Sequence, residues 1–334
     1  MDKNKLIDRY GRIAKKLRIS VTDRCNMRCI YCMPTNNTKW LNDIEVLSFQ
    51  EIVKLTTIFV NLGIEKIRIT GGEPLVRPEL ENLIESINVI PGIKSVGLTT
   101  NALLLADKVE ELASAGLENV NVSLDSFMED RFKMMTGVKG VNRVLNSIEK
   151  AKDAGLNVKI NTVVIRGWND DEISDFALFA RDRNLVVRFI EFMPLDGTSI
   201  WQPDLVFSKQ EMIERISLKV GEIVQRSDDN SQSEPASLYS FVHGSGAVGF
   251  IPSITEPFCR NCDRVRITSD GRLLTCLFEN PGYNLKNLLR SGATDKDLEC
   301  YALNCMQKKP EGIIRLIRNK TLKPTLNLMH TIGG

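Results

Sequence analysis

The sequence predicts an α/β fold: a partial TIM-like barrel of about six βα units, followed by a C-terminal α+β extension. Three observations predict it. Short β-branched runs alternate with amphipathic helical stretches over the first two hundred residues. A Gly or Asn stands where a helix must end before the next strand. Along the strands, polar and apolar residues alternate, and the polar positions are rich in Arg and Lys. Strand–helix alternation implies parallel strands joined by right-handed crossovers.

The strands are expected at 16–22, 66–72, 95–101, 119–125, 157–165 and 185–194. Amphipathic helices fit between them, for example over 48–63 and 141–155. Gly63, Gly92, Gly116 and Gly155 occupy helix C-termini, and Asn184 takes that place before the sixth strand. A doubly wound sheet is the alternative, but its strands, covered on both faces, would be almost continuously apolar. Here Arg18, Ser20 and Thr22 alternate with Leu17, Ile19 and Val21. Lys66, Arg68 and Thr70 alternate with Ile67 and Ile69, and Lys159 and Asn161 with Val158 and Ile160. One face therefore packs on helices and the other lines an open, wet lumen. Inward cations would be costly unpaired. They answer to a polyanionic ligand such as a phosphate ester, or to structural ion pairs with Glu73, Asp125 or Glu191; the pattern favours the ligand.

The chain has 334 residues, 43% of them hydrophobic, enough for a sizeable core. Residues 1–200 are assigned to the barrel and 201–334 to the C-terminal domain. Lys and Arg number 44 against 42 Asp and Glu, a net charge of +2, so no global bias points to nucleic acid or to a membrane surface. The first ten residues are polar, and no long apolar run is present. The expectation is a soluble cytoplasmic protein. Only His243 and His330 are histidines, which argues against histidine-based catalysis.

Eight cysteines in such a chain read as metal or redox sites. Cys25-x3-Cys29-x2-Cys32 follows the first strand, "GGEP" (71–74) the second, and "SLDS" the fourth. In barrel enzymes these strand ends form the active face, so the cysteines, the glycines and the polar lumen should meet there. Three close thiolates could hold zinc with a distant fourth ligand, or an iron–sulfur cluster with one iron left open. Cys259-x2-Cys262-x13-Cys276 forms a second group, expected outside the barrel. A zinc ribbon completed by Cys300, Cys305 or His243 is the alternative there. Arg264 and Arg266 share the parity of Cys262, and clustered cations beside thiolates suit an anionic cluster or ligand.

The first spacing is the motif of the radical S-adenosylmethionine superfamily, and "CNMRCIYC" resembles a full member. Tyr31 matches an aromatic near the adenine, and "GGEP" the motif for the methionine amino group. Over nearly its whole length the chain resembles the molybdenum-cofactor biosynthesis protein A family, the GTP 3′,8-cyclases. "LRISVTDRCNMRCIYCMP", "KIRITGGEPLVR", "GLTTN", "VSLDS", "RFIEFMPL", the second cysteine group and the terminal Gly-Gly carry the likeness.

The resemblance implies two 4Fe–4S clusters facing each other across the barrel. Cys25, Cys29 and Cys32 would hold the first, which binds S-adenosylmethionine. Cys259, Cys262 and Cys276 would hold the second, which offers its open iron to the guanine of GTP. Tyr31, Gly72, Ser123 and Met193 fall at S-adenosylmethionine positions. Arg18, Arg68, Thr99, Lys159, Arg264, Val265 and Arg266 fall at GTP positions, and Lys66 on the same lumen face would help hold phosphate. A 5′-deoxyadenosyl radical would take the 3′ hydrogen, and the carbon radical would attack C8 of guanine. Arg18, Arg264, Arg266 and the tail Gly333–Gly334 would serve the chemistry, the tail reaching into the site where side chains would not fit.

The implied partners are an electron donor of flavodoxin or ferredoxin type and the cyclic pyranopterin monophosphate synthase that receives the product; a homodimer is allowed. Asp263, Pro257 and His330 depart from the family pattern without removing a ligand. Rival readings are a radical S-adenosylmethionine peptide maturase, and a zinc-stabilised scaffold whose Gly-Gly tail is activated like a sulfur carrier. Cys300 and Cys305 are expected as buried structural thiols. "GSGAVG" (244–249) has a dinucleotide-binding spacing but no βαβ context, and is expected in a hairpin turn. Residues 226–237 are expected as a polar surface loop, and 308–323 as a solvated basic helix face.

Overall fold

All six expected strands form: β1 (Lys16–Ser20), β2 (Lys66–Thr70), β3 (Ser95–Thr100), β4 (Asn119–Ser123), β5 (Asn157–Val164) and β6 (Val186–Glu191). The structure is a computed structural model, and it describes residues 5–33, 39–195, 200–226, 234–279, 281–323 and 329–333. Helices between the strands follow their sequence signals. The helix Phe49–Asn61 begins at a capping box, Ser48 with Glu51, and buries Ile52, Leu55, Ile58 and Phe59. Gly63, Gly92, Gly116, Gly155 and Asn184 all take positive φ, as helix-ending residues should. The apolar strand positions, among them Leu17, Ile19, Ile67, Ile69, Val120 and Val158, enter one large core with the helices.

The strands beyond residue 200 are β7 (Ile223–Gln225), β8 (Ser237–Phe241), β9 (Ala247–Ile251), β10 (Arg264–Ile267), β11 (Arg272–Leu274) and β12 (Tyr283–Asn284). They join the same sheet, whose order is β12-β11-β10-β1-β2-β3-β4-β5-β6-β9-β8-β7. β10 pairs in parallel with β1, and β9 in parallel with β6. The parallel lining is thus extended by one strand at each edge before turning antiparallel. The sequence reads "RVRIT" as a strand, and β10 forms there; strand–helix rhythm could not find β9 or place β10 beside β1, because a hairpin precedes β9 and an antiparallel partner follows β10.

This topology corrects one expectation. The second cysteine group is not outside the barrel wall. Cys259 and Cys262 immediately precede β10, and the Asp263 carbonyl accepts the Lys15 and Lys16 amides at the start of β1. The second triad therefore lies beside the N-terminal strand ends, while the first follows the C-terminal end of β1. The polar lumen runs between two mouths rather than gathering everything at one face.

Smaller expectations divide. The Ser237–Ile251 hairpin puts Gly244 and Gly246 in its turn at φ +129° and +71°, with Gly249 on β9, as the hairpin reading requires. Cys305 is buried, but Cys300 is exposed. Lys308, Arg315 and Arg318 are exposed as expected of a solvated face, but Lys309 is 1% exposed and turns inward. Of the expected loop 226–237, residues 227–233 lie outside the described residues; Glu234, beyond them, faces the lumen. Among the described residues no helix is long and apolar enough to cross a membrane.

Candidate functional site

Glycines shape the loop that carries the first triad. Gly72 donates its N–H to the Thr22 carbonyl at 2.7 Å, and Glu73 donates to that of Arg24 at 2.8 Å. A Cβ on Gly72 would stand 2.3 Å from the Arg24 carbonyl oxygen and 2.5 Å from that of Asp23. "GGEP" thus lets the end of β2 lie against the backbone just before Cys25. The buried Glu73 carboxylate accepts from Thr100 Oγ1, the Asn101 amide and the Leu75 amide. It ties the ends of β2 and β3, and burial raises its pKa to about 7.

The cysteine loop is pinned along its length. Arg28 and Ile30 donate their amides to the Thr136 and Met135 carbonyls, and Arg28 Nη1 reaches the Cys25 and Met27 carbonyls at 2.8 Å. Burial pushes the thiols of Cys25 and Cys32 up to about 11 and about 12, and that of Cys29 well up. Cys25 and Cys32 add to the rise at Cys29, so the three stand within electrostatic reach of one another. Crowded thiols of this kind become thiolates when a metal neutralises them.

The second triad is held from behind by cations. Arg12 Nη1 donates to the Cys259 carbonyl at 2.8 Å, and buried Lys309 donates to the Cys262 and Arg264 carbonyls at 3.3 and 2.9 Å. Gly312, at φ +109°, leaves room for the Cys259 sulfur, which a Cβ would meet at 2.6 Å. Burial raises the thiols of Cys259 and Cys276, the latter to about 11. At Cys262 burial also pushes upward, but Arg264, Lys309 and the Arg264 amide outweigh it and bring the thiol down to about 7.

Three cavities join these places. A cavity of about 190 Å³ near the C-terminal strand ends is lined by Tyr31, Thr99, Ser123, Asp125, Met193 and Met329 among others. One of about 230 Å³ at the N-terminal ends is lined by Lys16, Lys66, Arg68, Lys159 and Arg188. A third, about 80 Å³, is lined by Cys259, Cys262 and Cys276. Arg18 lines the first two, Met193 and Arg266 the first and third, and Arg264 all three.

The cations crowd in register. Lys16 stands opposite Arg264 and Lys66, and Arg18 opposite Arg266 and Arg68. Burial lowers the Arg68, Arg188 and Arg266 pKa values to about 10; Arg68 adds to the effect at Arg188, and Arg264 at Arg266. Gly97, opposite Arg68, is what admits its guanidinium: a Cβ there would lie 2.5 Å from Nη1. Arg68 Nη1 donates to the Leu98 carbonyl at 3.0 Å and the Asn119 carbonyl at 3.3 Å. Two buried polar atoms facing this space have no partner, Arg264 Nε and Thr99 Oγ1. A buried donor left so is a position that a ligand would satisfy.

The tail enters from the first mouth. His330 packs edge-on to Trp40, with ring centroids 5.9 Å apart, and its backbone is bonded to Cys32. Arg266 Nη1 donates to the Gly333 carbonyl. Gly333, at φ +76°, lies so close to β2 that a Cβ would be 2.6 Å from Thr70 Cγ2. Gly334 lies outside the described residues.

Arg18, Lys66, Arg68, Thr99, Lys159, Arg264 and Arg266 thus all line the lumen cavities, and Tyr31, Ser123 and Met193 line the upper one. Gly72 acts through the backbone. The Val265 side chain faces the other way, into the core. The ion-pair reading of the cations receives no support from the three named acids. Glu73 bonds to Thr100 and backbone, Asp125 accepts from Tyr31 and the Val163 amide, and Glu191 accepts from Thr255 and the Ile254, Thr255 and Lys209 amides. Arg188 was missed. It sits on the polar parity of β6 and donates to Asn161 at 2.9 Å, so strand alternation could have found it. Lys16, two residues before Arg18, was legible in the same way. Lys309 and Glu234 carried no periodic signal.

The donor sets fit iron–sulfur clusters. Each has three free thiols. Among the described residues no three His, Cys, Asp or Glu side chains converge for a single metal ion; ligands of a four-iron cluster attach to separate corners. None of Cys300, Cys305 and His243 lines the cavity of the second triad, as a zinc ribbon would require.

Comparison with known proteins agrees with this geometry. Residues 19–180 match the model of the radical SAM superfamily, and residues 185–314 that of the molybdenum cofactor synthesis C-terminal domain. The chain is 43% identical to the GTP 3′,8-cyclase of Thermodesulfovibrio yellowstonii, covering 98% of this chain and 99% of that one. It is 40% identical to the GTP 3′,8-cyclase of Syntrophomonas wolfei, covering 98% and 100%. Among solved structures, Streptococcus suis SuiB bound to the precursor peptide SuiA superposes with a TM-score of 0.63, over 96% of this chain and 76% of SuiB. At 18% identity that likeness speaks to the fold alone.

Proposed function

The chain belongs to the GTP 3′,8-cyclase family of radical S-adenosylmethionine enzymes, and on that premise we propose that it converts GTP to (8S)-3′,8-cyclo-7,8-dihydroguanosine 5′-triphosphate, an early step of molybdenum cofactor biosynthesis. The observation that carries the reading is the lumen itself. Cations line it from the N-terminal to the C-terminal strand ends, Arg188 and Arg266 among them buried, and Arg264 faces both of its cavities and the cavity of the second cysteine triad. The peptide-maturase reading is not favoured, because relatives that match at full length are cyclases.

Cys25, Cys29 and Cys32 would hold the first 4Fe–4S cluster, and Cys259, Cys262 and Cys276 the second. When bound, the clusters and S-adenosylmethionine supply a hydrogen-abstracting radical at one mouth and an open iron at the other. Everything else falls to the chain. Tyr31, Gly72, Ser123 and Met193 would shape the S-adenosylmethionine pocket. Arg18, Lys66, Arg68, Lys159 and Arg188 would neutralise the triphosphate, whose oxygens match guanidinium and ammonium donors. Thr99 Oγ1 and Arg264 Nε would bond to substrate, which removes their orphan status. Arg266 would hold the Gly333 carbonyl against the reacting region, where the tail excludes water without occupying substrate space. A flavodoxin- or ferredoxin-type donor, product transfer to a cyclic pyranopterin monophosphate synthase, a cytoplasmic location and a homodimer complete the proposal.

The test is an anaerobic assay with reductant, S-adenosylmethionine and each nucleoside triphosphate in turn. We expect 5′-deoxyadenosine formation to depend on GTP and a 3′,8-cyclised product to appear. Equal stimulation by ATP would refute the substrate assignment. A second expectation concerns Gly97. Gly97→Val places carbon atoms where the Arg68 guanidinium lies. The KM for GTP should rise about tenfold, the scale of one lost charge-assisted contact, with iron content unchanged. An unchanged KM would show that Arg68 does not bind the substrate.

A further inference from the structure

Among the described residues lining the cationic mouth, one is a carboxylate, Glu234. Its Oε1 accepts from Lys16 Nζ at 2.6 Å. Lys16 also reaches Asp263 at 3.3 Å from the side of the second triad. The Glu234 side chain is 39% exposed and Lys16 17%, so the pair is half-buried at the rim. Burial favours the neutral acid, but Lys16, with Lys66 and Lys159 behind it, holds the carboxyl below its ordinary range. Pro235, next in the chain, lines both the upper and the lower cavity, which fixes this stretch against the lumen.

We propose that Glu234 is a specificity-determining residue that holds the place of a substrate phosphate in the cationic mouth and is displaced from Lys16 when a nucleoside triphosphate enters. The proposal rests on the reading of the lumen as the GTP site. Among the described residues, every other charged side chain lining that cavity is a cation. A carboxylate there relieves their mutual repulsion while no substrate is bound. A phosphate approaching the same ammonium meets the like charge of Glu234 at hydrogen-bond distance and is repelled by it. Lys16 already holds two carboxylates, so a phosphate is a third anion at one ammonium, and Glu234, 39% exposed against 7% for Asp263, is the one free to leave. The mouth then responds to the charge a ligand brings, and an uncharged nucleoside gains nothing from displacing Glu234.

The experiment is anaerobic equilibrium binding of GTP, inorganic tripolyphosphate and guanosine to the cluster-loaded enzyme, its Glu234→Gln variant and its Glu234→Ala variant. Both variants should bind GTP and tripolyphosphate about fivefold more tightly, the scale of one partly exposed ion pair. Guanosine affinity should stay within about twofold, and iron content should match the wild type. Unchanged or weaker GTP binding in both variants would overturn the proposal, and so would an equal gain for guanosine. If the glutamine variant loads iron poorly, the alanine variant decides. Wild-type enzyme that binds no GTP would remove the underlying reading; wild-type binding with no gain in the variants removes this proposal alone.

Discussion

A Cys276→Ala enzyme should carry about half the iron of the wild type, still cleave S-adenosylmethionine slowly, and form cyclised product on the order of 10³-fold more slowly, the scale expected when a reactant is no longer held in place. The residue follows β11, and its sulfur faces the cavity it shares with Cys259 and Cys262. The local backbone does not depend on that sulfur. Glu279 donates its amide to the Cys276 carbonyl at 3.1 Å, and its carboxylate accepts from the Thr275 amide and hydroxyl. Alanine should therefore leave the turn intact while removing one of the three thiols that line that cavity. The first triad sits in a separate loop at the other mouth and should load normally. Iron analysis, 5′-deoxyadenosine release and product formation separate the possibilities. Wild-type cyclisation would show that the second triad is dispensable, and loss of all iron would show that it is structural for the whole molecule.

Gly333→Ala should lower kcat about 100-fold, as a displacement of about 1 Å near the chemistry can, while leaving iron content and the KM for GTP close to wild type. Two separate strains act on one methyl group. The backbone is at φ +76°, which costs a non-glycine residue about 1–2 kcal/mol. The added carbon would lie 2.6 Å from Thr70 Cγ2. The tail relieves both by moving away, which withdraws the Gly333 carbonyl from Arg266. Thr70→Ser removes the offending methyl, so the double variant should recover part of the lost rate. No recovery would mean that the backbone strain alone sets the defect. Unaltered kcat in Gly333→Ala would remove the tail from the mechanism.

Strand parity carried most of what the sequence could tell. Leu17, Ile19 and Val21 against Arg18 and Ser20 established which face is lumen, and the positive φ of Gly63, Gly92, Gly116, Gly155 and Asn184 bears out where helices stop. The cysteine spacings picked out two groups of three free thiols. What could not be read was long-range pairing. Nothing local in "RVRI" says that it will lie beside β1, because a parallel neighbour is chosen by the sheet edge left open rather than by its own residues. The expectation that the second triad lies outside the barrel followed from that. Lys309 was misread for a related reason. A lysine in a basic stretch is normally solvated, and only the fold shows that two backbone carbonyls, those of Cys262 and Arg264, await its ammonium. Arg188 was different: its parity was available, and a closer reading of β6 would have found it.

The sheet order has a consequence for how the chain is made. On a ribosome the six βα units emerge first, yet both flanks of their sheet are covered only by later residues, β10 against β1 and β9 against β6. A nascent chain that ends before residue 247 therefore has β1 and β6 as bare edges, with arginines and lysines turned into an unfinished interior. Such edges invite pairing with other chains. Completion comes late and from both sides, and the stretch 329–333 settles into the interior after the walls that receive it. A stalled or truncated product should be a client for chaperones and proteases rather than a slower enzyme.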